Sequence, residues 1–515
     1  MKERITYIIR NPKLGFEPSN LEVAKASISV SSLDGAKEHR ITLALAEVPQ
    51  ELVRVLKNCH ELHIRWATSR EHDSIAPYVS RVTPGLHVFY TPLREKATKR
   101  LCSLIQKLFG SYLKCVSTEN ILINFWSAFT TPPNISGRFS HSASRQYFQP
   151  LESTDNLVAY IGQTTCSEHN YECKLRVHDL LTADYIDGDY DSISHAVNLR
   201  AYWSQSHLTD KLWWETHHIP ANGSLEVGVL INETPDEEEE LRYSGFLTQV
   251  GDDDKPSPTL FSFPARHHPL PQSSTFKASF RIPSGLHPTY SVQLPADSLT
   301  PPSRDCYLHS YLTLPSPLFI DKYPLSDPLF LASHNLKALH SISGATDLEA
   351  PDWVTDAWGS AVLFEIVTPP SAKESLEVTI PTHLRYLSPI DSRTAQGLRS
   401  LLIPYPSVFW ACNAELGSQF STSPFDRTNL GYDGLFGPKT VFYYFNPSGP
   451  VNGSGLANFL DVPVLDLNRT GAGMVEWGTV FVILVGTAWV CWSLMGDFVS
   501  WGKGGREKEI GNKSD

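Results

Sequence analysis

Short runs in which apolar and polar residues alternate recur along most of this chain. Between about residue 119 and residue 248 they include "LVAYIG", "CKLRVHDL" and "LEVGVLI", separated by turn-forming residues, the pattern of a β-sandwich or barrel. From about residue 260 to residue 467 seven more follow: "KASFRIP", "YSVQLP", "HSYLTLP", "AVLFEIV", "SLEVTIP", "KTVFYYF" and "DVPVLDL". No strong helix interrupts them, and they predict a second sandwich. The first 118 or so residues mix strands with a helix in "TPLREKATKRLCSLIQKLFGSYLKC". There Thr91 is placed to cap, Pro92 suits the first helical position, and Leu101, Leu104, Ile105, Leu108 and Tyr112 form one apolar stripe. The charged, proline-containing stretches "PDEEEE" and "GDDDKPSPT" place a domain boundary near residue 255. The expected fold is mainly β with an α+β N-terminal part: a domain over 1–255 and a sandwich domain over 256–470.

The alternation ends at "WGTVFVILVGTAWVCWSLMG". Trp477 to Gly496 holds twenty residues without Asp, Glu, Lys, Arg or His. At ~1.5 Å per residue, such a helix matches the ~30 Å hydrocarbon core of a bilayer. Glu476 and Asp497 bracket it, and Trp477, Trp492 and Trp501 suit the interfaces. The expectation is one transmembrane helix over 475–496 and a tail over 497–515.

Composition fits this division. The 515 residues are 41% hydrophobic and 19% charged, a folding composition, and 37 prolines against 3 methionines favour strands and turns. The net charge of −12 excludes a nucleic-acid partner, which needs a concentrated basic surface.

Sidedness follows from smaller signals. The tail carries Lys503, Arg506, Lys508 and Lys513, against Arg469 alone just before the span, so the tail is expected in the cytosol and the head in the lumen. The first sixteen residues contain no seven-residue apolar core and resemble no cleavable signal; a tail-anchored chain with a cytosolic head explains that equally well. Asn134, Asn222, Asn232, Asn452 and Asn468 head glycosylation sequons before the span. Seven of eight cysteines also precede it, Cys166 and Cys173 being close enough to pair locally, and both facts favour the lumen.

Candidate chemistry is sparse. Asp184, Asp187, Asp189 and Asp191 in "DYIDGDYD" offer carboxylates for a divalent cation, but without EF-hand spacing. His267 and His268 are adjacent and point to opposite faces of a strand. "HLRYLSP" puts His383 and Arg385 on one strand face and Tyr386 on the other. No nucleophile or second acid accompanies them, so a polar network or partner-facing patch, with Arg385 on a carboxylate, is the expectation. No catalytic residue, metal ligand or cofactor site is assigned.

Several phrases in order carry a resemblance: "SYLTLPSPLFIDKYPL", "GATDLEAPDW", "TIPTHLRYLSP", "FWAC", "FDRTNLGYDGLFGPKTVFYYF" and "VPVLDL", then the single span. Together, over roughly residues 265–500, they resemble the PIG-X family, whose fungal branch is called protease B non-derepressible. The resemblance implies an endoplasmic-reticulum glycoprotein with a luminal head, the non-catalytic accessory subunit of GPI mannosyltransferase I. Its implied partner is the PIG-M-type polytopic subunit that adds the first mannose from dolichol-phosphate-mannose to the GPI precursor. A general reticulum folding factor and a catalytic glycosyltransferase are the alternatives. Gly431, Gly434 and Gly437 in "NLGYDGLFGP" allow backbone conformations closed to other residues, so Asn429, Gly431, Tyr432, Asp433, Gly437 and Pro438 are expected in a shaped loop, packed inward or docking a partner; the resemblance implies a Cys306–Cys412 disulfide.

Overall fold

The computed structural model describes residues 1–11, 16–93, 98–115, 145–220, 223–282, 285–348, 350–355, 357–369, 374–389, 398–415, 420, 423–425, 430–449, 455–464 and 472–510. Residues 1–386 and 401–460 form one compact unit; 387–400 and 461–515 form a second. In the second lies the helix Ala472–Ile510, whose stretch Gly473–Met495 is long and apolar enough to cross a bilayer and is exposed.

The first unit is built on a ten-stranded sheet. Its order is Ser257–Pro264, Glu240–Gln249, Ser224–Glu233, Lys2–Ile9, Gly35–Ala44, Ala196–Trp203, Tyr185–Asp191, Cys59–Ala67, Gly85–Pro92 and Arg145–Gln149. The N-terminal strand sits inside it, parallel to Ser224–Glu233 and antiparallel to Gly35–Ala44. "HELHIRWA" shows why these residues make a covered strand. Leu62 and Trp66 bury on one face, His63 and Arg65 on the other, as period-two alternation requires when both faces are occupied. A three-stranded sheet of Trp213–His218, Ser27–Leu33 and Leu21–Val23 shares a core of Ile5, Tyr7, Trp203, Trp213, Val227 and Val229 with it.

The later strands make a six-stranded sheet (His267–Pro269, Thr440–Tyr444, Ser407–Asn413, Cys306–Pro315, Gly359–Ile366, Leu336–Gly344) and a four-stranded one (Leu376–Pro381, Thr289–Leu294, Thr275–Phe280, Asn446–Pro447). All seven runs expected as strands after residue 260 fall wholly or partly on strands. The boundary expected near 255 lies between two paired strands of the ten-stranded sheet. One core cluster takes Leu62, Trp66, Val88, Leu101, Ile105, Tyr147 and Phe148 from before it and Tyr311, Trp358, Phe409, Tyr432 and Phe442 from after it. Gln146 Nε2 donates to Tyr311 Oη at 3.2 Å, and Trp358 Nε1 to the Gln146 carbonyl at 2.9 Å.

Three local expectations are corrected. "LVAYIG" and most of "CKLRVHDL" lie in the helices Asp155–Thr165 and Tyr171–His178, not in strands. Short apolar runs fit either period; here Asn170 caps the second helix through the Cys173 amide, and the Cys166–Cys173 disulfide joins the two. Thr91 and Pro92 close a strand instead of starting a helix, Pro92 facing Cys59 across the sheet. The helix runs Thr98–Phe109, and Gly110, at φ +126°, ends it, leaving Tyr112 outside the buried stripe of Leu101, Leu104, Ile105 and Leu108.

Two more disulfides are Cys102–Cys115 and Cys306–Cys412, the latter between directly opposed residues of neighbouring strands. Cys59 and Cys491 are free. The Cys306–Cys412 bond spans 106 residues, so the doubly substituted Cys306→Ser/Cys412→Ser chain is expected to lose about 2–5 kcal/mol of unfolding free energy. Denaturant unfolding checks this, and an unchanged midpoint contradicts it.

Candidate functional site

Arg385 is the organising side chain of the "HLRYLSP" stretch. It is 4% exposed and lies over the Phe319 ring, 4.3 Å from the centroid, with His383 stacked against the same ring at 5.4 Å. His383 and Arg385 thus share a face, and Tyr386, 71% exposed, does not. Among the described residues, the guanidinium's hydrogen bonds go to carbonyls and not to the expected carboxylate. Nε donates to the Ser316 carbonyl at 3.1 Å, Nη1 to those of Asp347 and Ala350, and Nη2 to that of Ala345 at 3.2 Å. The reason is geometric: loop carbonyls surround the fork, and a planar five-donor head suits several acceptors at once. Burial pulls the Arg385 pKa below its ordinary value, opposed by Asp347 and Asp352 nearby.

The loop held this way is "GATDLEAPDW". Asp352, buried, accepts from Ser316 Oγ at 2.6 Å, and its amide donates to the Tyr386 carbonyl at 3.0 Å. The large apolar side chains around this knot point outward: Leu348, Trp353, Val354 and Tyr386 are all exposed. A buried cation thus pins a loop whose surface is apolar and aromatic, a composition suited to contact with another protein.

The "NLGYDGLFGP" loop packs inward over its described part. Gly431 has no room for a side chain, an added Cβ lying 2.6 Å from Phe89 Cε1. Tyr432 is fully buried and donates to the Arg81 carbonyl, 2.6 Å away, its oxygen also lying 2.6 Å from Tyr444 Oη. Asp433 accepts from the Leu430 amide at 2.7 Å and lies 3.7 Å from His267 Nε2. Gly437 and Pro438 are exposed, and Asn429 lies outside the described residues. Of the sequons, Asn232 is exposed on a strand; Asn134, Asn222, Asn452 and Asn468 lie outside the described residues.

The acidic stretch forms ion pairs. Asp187 meets Arg65 through both oxygens, each at 2.6 Å; Asp184 accepts from the Ser204 amide at 2.7 Å; Asp191 accepts from the Ile193 and Ser194 amides. Asp189 hydrogen-bonds His63 Nδ1 and lies 3.6 Å from Arg200 Nη2, at the wall of a 610 Å³ cavity that Arg40 and Glu61 also line. Sequence reasoning missed this cavity. Its signal was the charged alternate positions of "HELHIRWA" and "YIDGDYD", which pair in register: His63 with Asp189, Arg65 with Asp187. His267 and His268 point apart as expected, stacking on Phe442 and Tyr443.

The family model for PIG-X / PBN1 matches residues 283–495. "Protein pbn1" of Emericella nidulans is 44% identical over 96% of this chain and 95% of its own, and that of Aspergillus oryzae 43% identical over 100% and 99%. The Schizosaccharomyces pombe protein of the same name is 30% identical over 40% of this chain and 55% of its own. Among solved structures, the collagen-binding domain of the Erysipelothrix rhusiopathiae surface protein RspB covers 64% of this chain and 82% of its own at a TM-score of 0.14, which bears on nothing. A β-rich chain with one exposed apolar C-terminal helix has the makeup of a single-pass membrane protein. The chain belongs to the PIG-X/PBN1 family, a family of accessory type, and membership supports a role in GPI-anchor biosynthesis.

Two predictions follow from this geometry. Arg385→Ala removes the hydrogen bonds to the Ser316, Ala345, Asp347 and Ala350 carbonyls and is expected to cost about 3–5 kcal/mol of stability, whereas Tyr386→Ala changes it by about 0.5 kcal/mol or less. Denaturant melts that rank the two equally contradict this. Burial raises the Asp189 carboxyl, but His63 and then Arg200 outweigh it and hold the pKa well below the usual range. Glu215, against His217 and Lys37, is likewise depressed. A depressed folded pKa gives stability that is full above the unfolded values of about 4 and lost as pH falls below them. The melting temperature is therefore expected to drop below about pH 4, less steeply in Asp189→Asn; identical acid limbs contradict it.

Proposed function

We propose that this chain is the non-catalytic accessory subunit of GPI mannosyltransferase I. It resides in the endoplasmic-reticulum membrane with its head in the lumen and its short tail in the cytosol. It stabilises the PIG-M-type polytopic subunit that transfers the first mannose from dolichol-phosphate-mannose to the GPI precursor. The observation that carries the reading, beside family membership, is the Arg385 knot: its polar groups are engaged in holding the loop, while Trp353, Val354 and Tyr386 stand free at the surface.

Other features agree. Three disulfides in the head suit an oxidising compartment. The exposed Asn232 sequon is accessible to a glycan. A span with no ionisable residue between Trp477 and Gly496 offers nothing to line a site for two lipid-linked phosphates, whereas a polytopic partner has helices for that purpose. Gly486 and Thr487 form a small patch where a partner helix can approach closely.

Replacing Trp353 and Tyr386 together by Ser is expected to lower the catalytic subunit's steady-state abundance several-fold without altering the head's own unfolding midpoint. Mannose transfer per remaining catalytic molecule stays at the wild-type rate. Unchanged abundance with lost turnover contradicts the accessory role, and crosslinking to many unrelated secretory proteins instead of one dominant polytopic partner favours a folding factor. Glycosidase digestion is expected to shift the wild-type chain and to shift Asn232→Gln less; a chain without any glycan contradicts the luminal head.

A further inference from the structure

A group outside the Arg385 knot has a different chemistry. His309, on the strand Cys306–Pro315, faces Glu365 directly across the antiparallel pair with Gly359–Ile366. His340 comes from the neighbouring strand Leu336–Gly344, and one potential ligand atom from each of the three lies within 4.8 Å of the others. The register of that strand slips twice, between Leu336 and Ala338 and between Leu339 and Ser341. The two extra residues are Lys337 and His340. In a regular strand positions three apart point to opposite faces; the two bulges turn both side chains onto the one carboxylate. Lys337 Nζ lies 2.6 Å from Glu365 Oε1 and His340 Nε2 2.7 Å from Oε2.

His309 is held in a ligand's posture. Its Nδ1–H donates to the Tyr307 carbonyl at 2.9 Å, which fixes the tautomer and leaves the lone pair on Nε2. Its ring stacks on Phe409 at 5.9 Å and meets Phe436 edge-on at 5.1 Å, so it has little rotational freedom. All three residues line a 490 Å³ cavity, which leaves space on the open side of the triad.

We propose that His309, His340 and Glu365 form a binding site for a borderline divalent transition-metal ion of the Zn²⁺ class. Two imidazoles and one carboxylate supply three ligands of a four-coordinate site, with the remaining position turned to the cavity. Nitrogen ligands disfavour Mg²⁺ and Ca²⁺. In the empty site Lys337 pairs with the carboxylate's other oxygen, and its charge opposes the cation. The bound ion joins three adjacent strands, replacing the His340–Glu365 hydrogen bond.

The test uses the full-length chain in detergent, stripped with a chelator and titrated with Co²⁺ as the probe. Saturation near one equivalent, with visible ligand-field bands displaced by Zn²⁺, is expected. His340→Gln, at a half-exposed side chain that should leave folding intact, and Glu365→Gln each weaken binding by about tenfold or more. Lys337→Met, which removes the ammonium that opposes the cation and competes with it for Glu365, retains or strengthens it. No cobalt band in the wild-type chain overturns the site, as does a band that persists at full strength in His309→Gln/His340→Gln. A Lys337→Met chain that loses binding also overturns it.

Discussion

Asp187 is fully enclosed, and the Arg65 guanidinium lies against both of its oxygens. Other enclosed charges of the head are paired too, Lys37 with Glu215 and Arg200 with Asp189. A sheet covered on both faces leaves no water for an ionised side chain, so each needs a partner in register, and removing one partner from such a pair costs about 3–5 kcal/mol. The row through this pair runs Arg4, Arg40, Arg200, Asp187, Arg65 and His87 across six strands. Arg65 reaches further: Nη1 donates to the Ser80 carbonyl at 3.0 Å, and the next carbonyl, that of Arg81, accepts from Tyr432. One ion pair thus fixes a segment on which the later half of the chain closes.

That dependence explains what the sequence disclosed. Strands with clean alternation, such as "LEVGVLI" and "SLEVTIP", could be read directly because their periodicity is a local property. "LVAYIG" could not: an apolar run of six fits a helix face as well as a strand, and the Asn170 cap and the Cys166–Cys173 disulfide that mark the helical pair lie outside the run. The two bulges that turn Lys337 and His340 onto Glu365 leave no mark in composition, and the cluster appears only when three strands are side by side.

The Arg385 stretch shows the same limit at the candidate site. Spacing placed His383 and Arg385 on one face, and so they are, against Phe319. Spacing did not name their partners, because main-chain carbonyls carry no sequence signal, and the guanidinium turned to those instead of to a carboxylate. The consequence for function is a division of labour. Arg385 and Asp352 hold the "GATDLEAPDW" loop from inside, and Trp353, Val354 and Tyr386 are left outside, an arrangement suited to a protein that works by contact.

Native-state hydrogen exchange on an Asp187→Asn chain tests the central claim, that this enclosed pair sets the stability of the whole head. The amides of Cys59–Ala67, beside the pair, and of Ser407–Asn413, in the other large sheet, are the ones to follow. The account predicts that both strands lose protection together and to the same opening free energy. Protection lost in Cys59–Ala67 alone, with Ser407–Asn413 exchanging as in the wild-type chain, would contradict it.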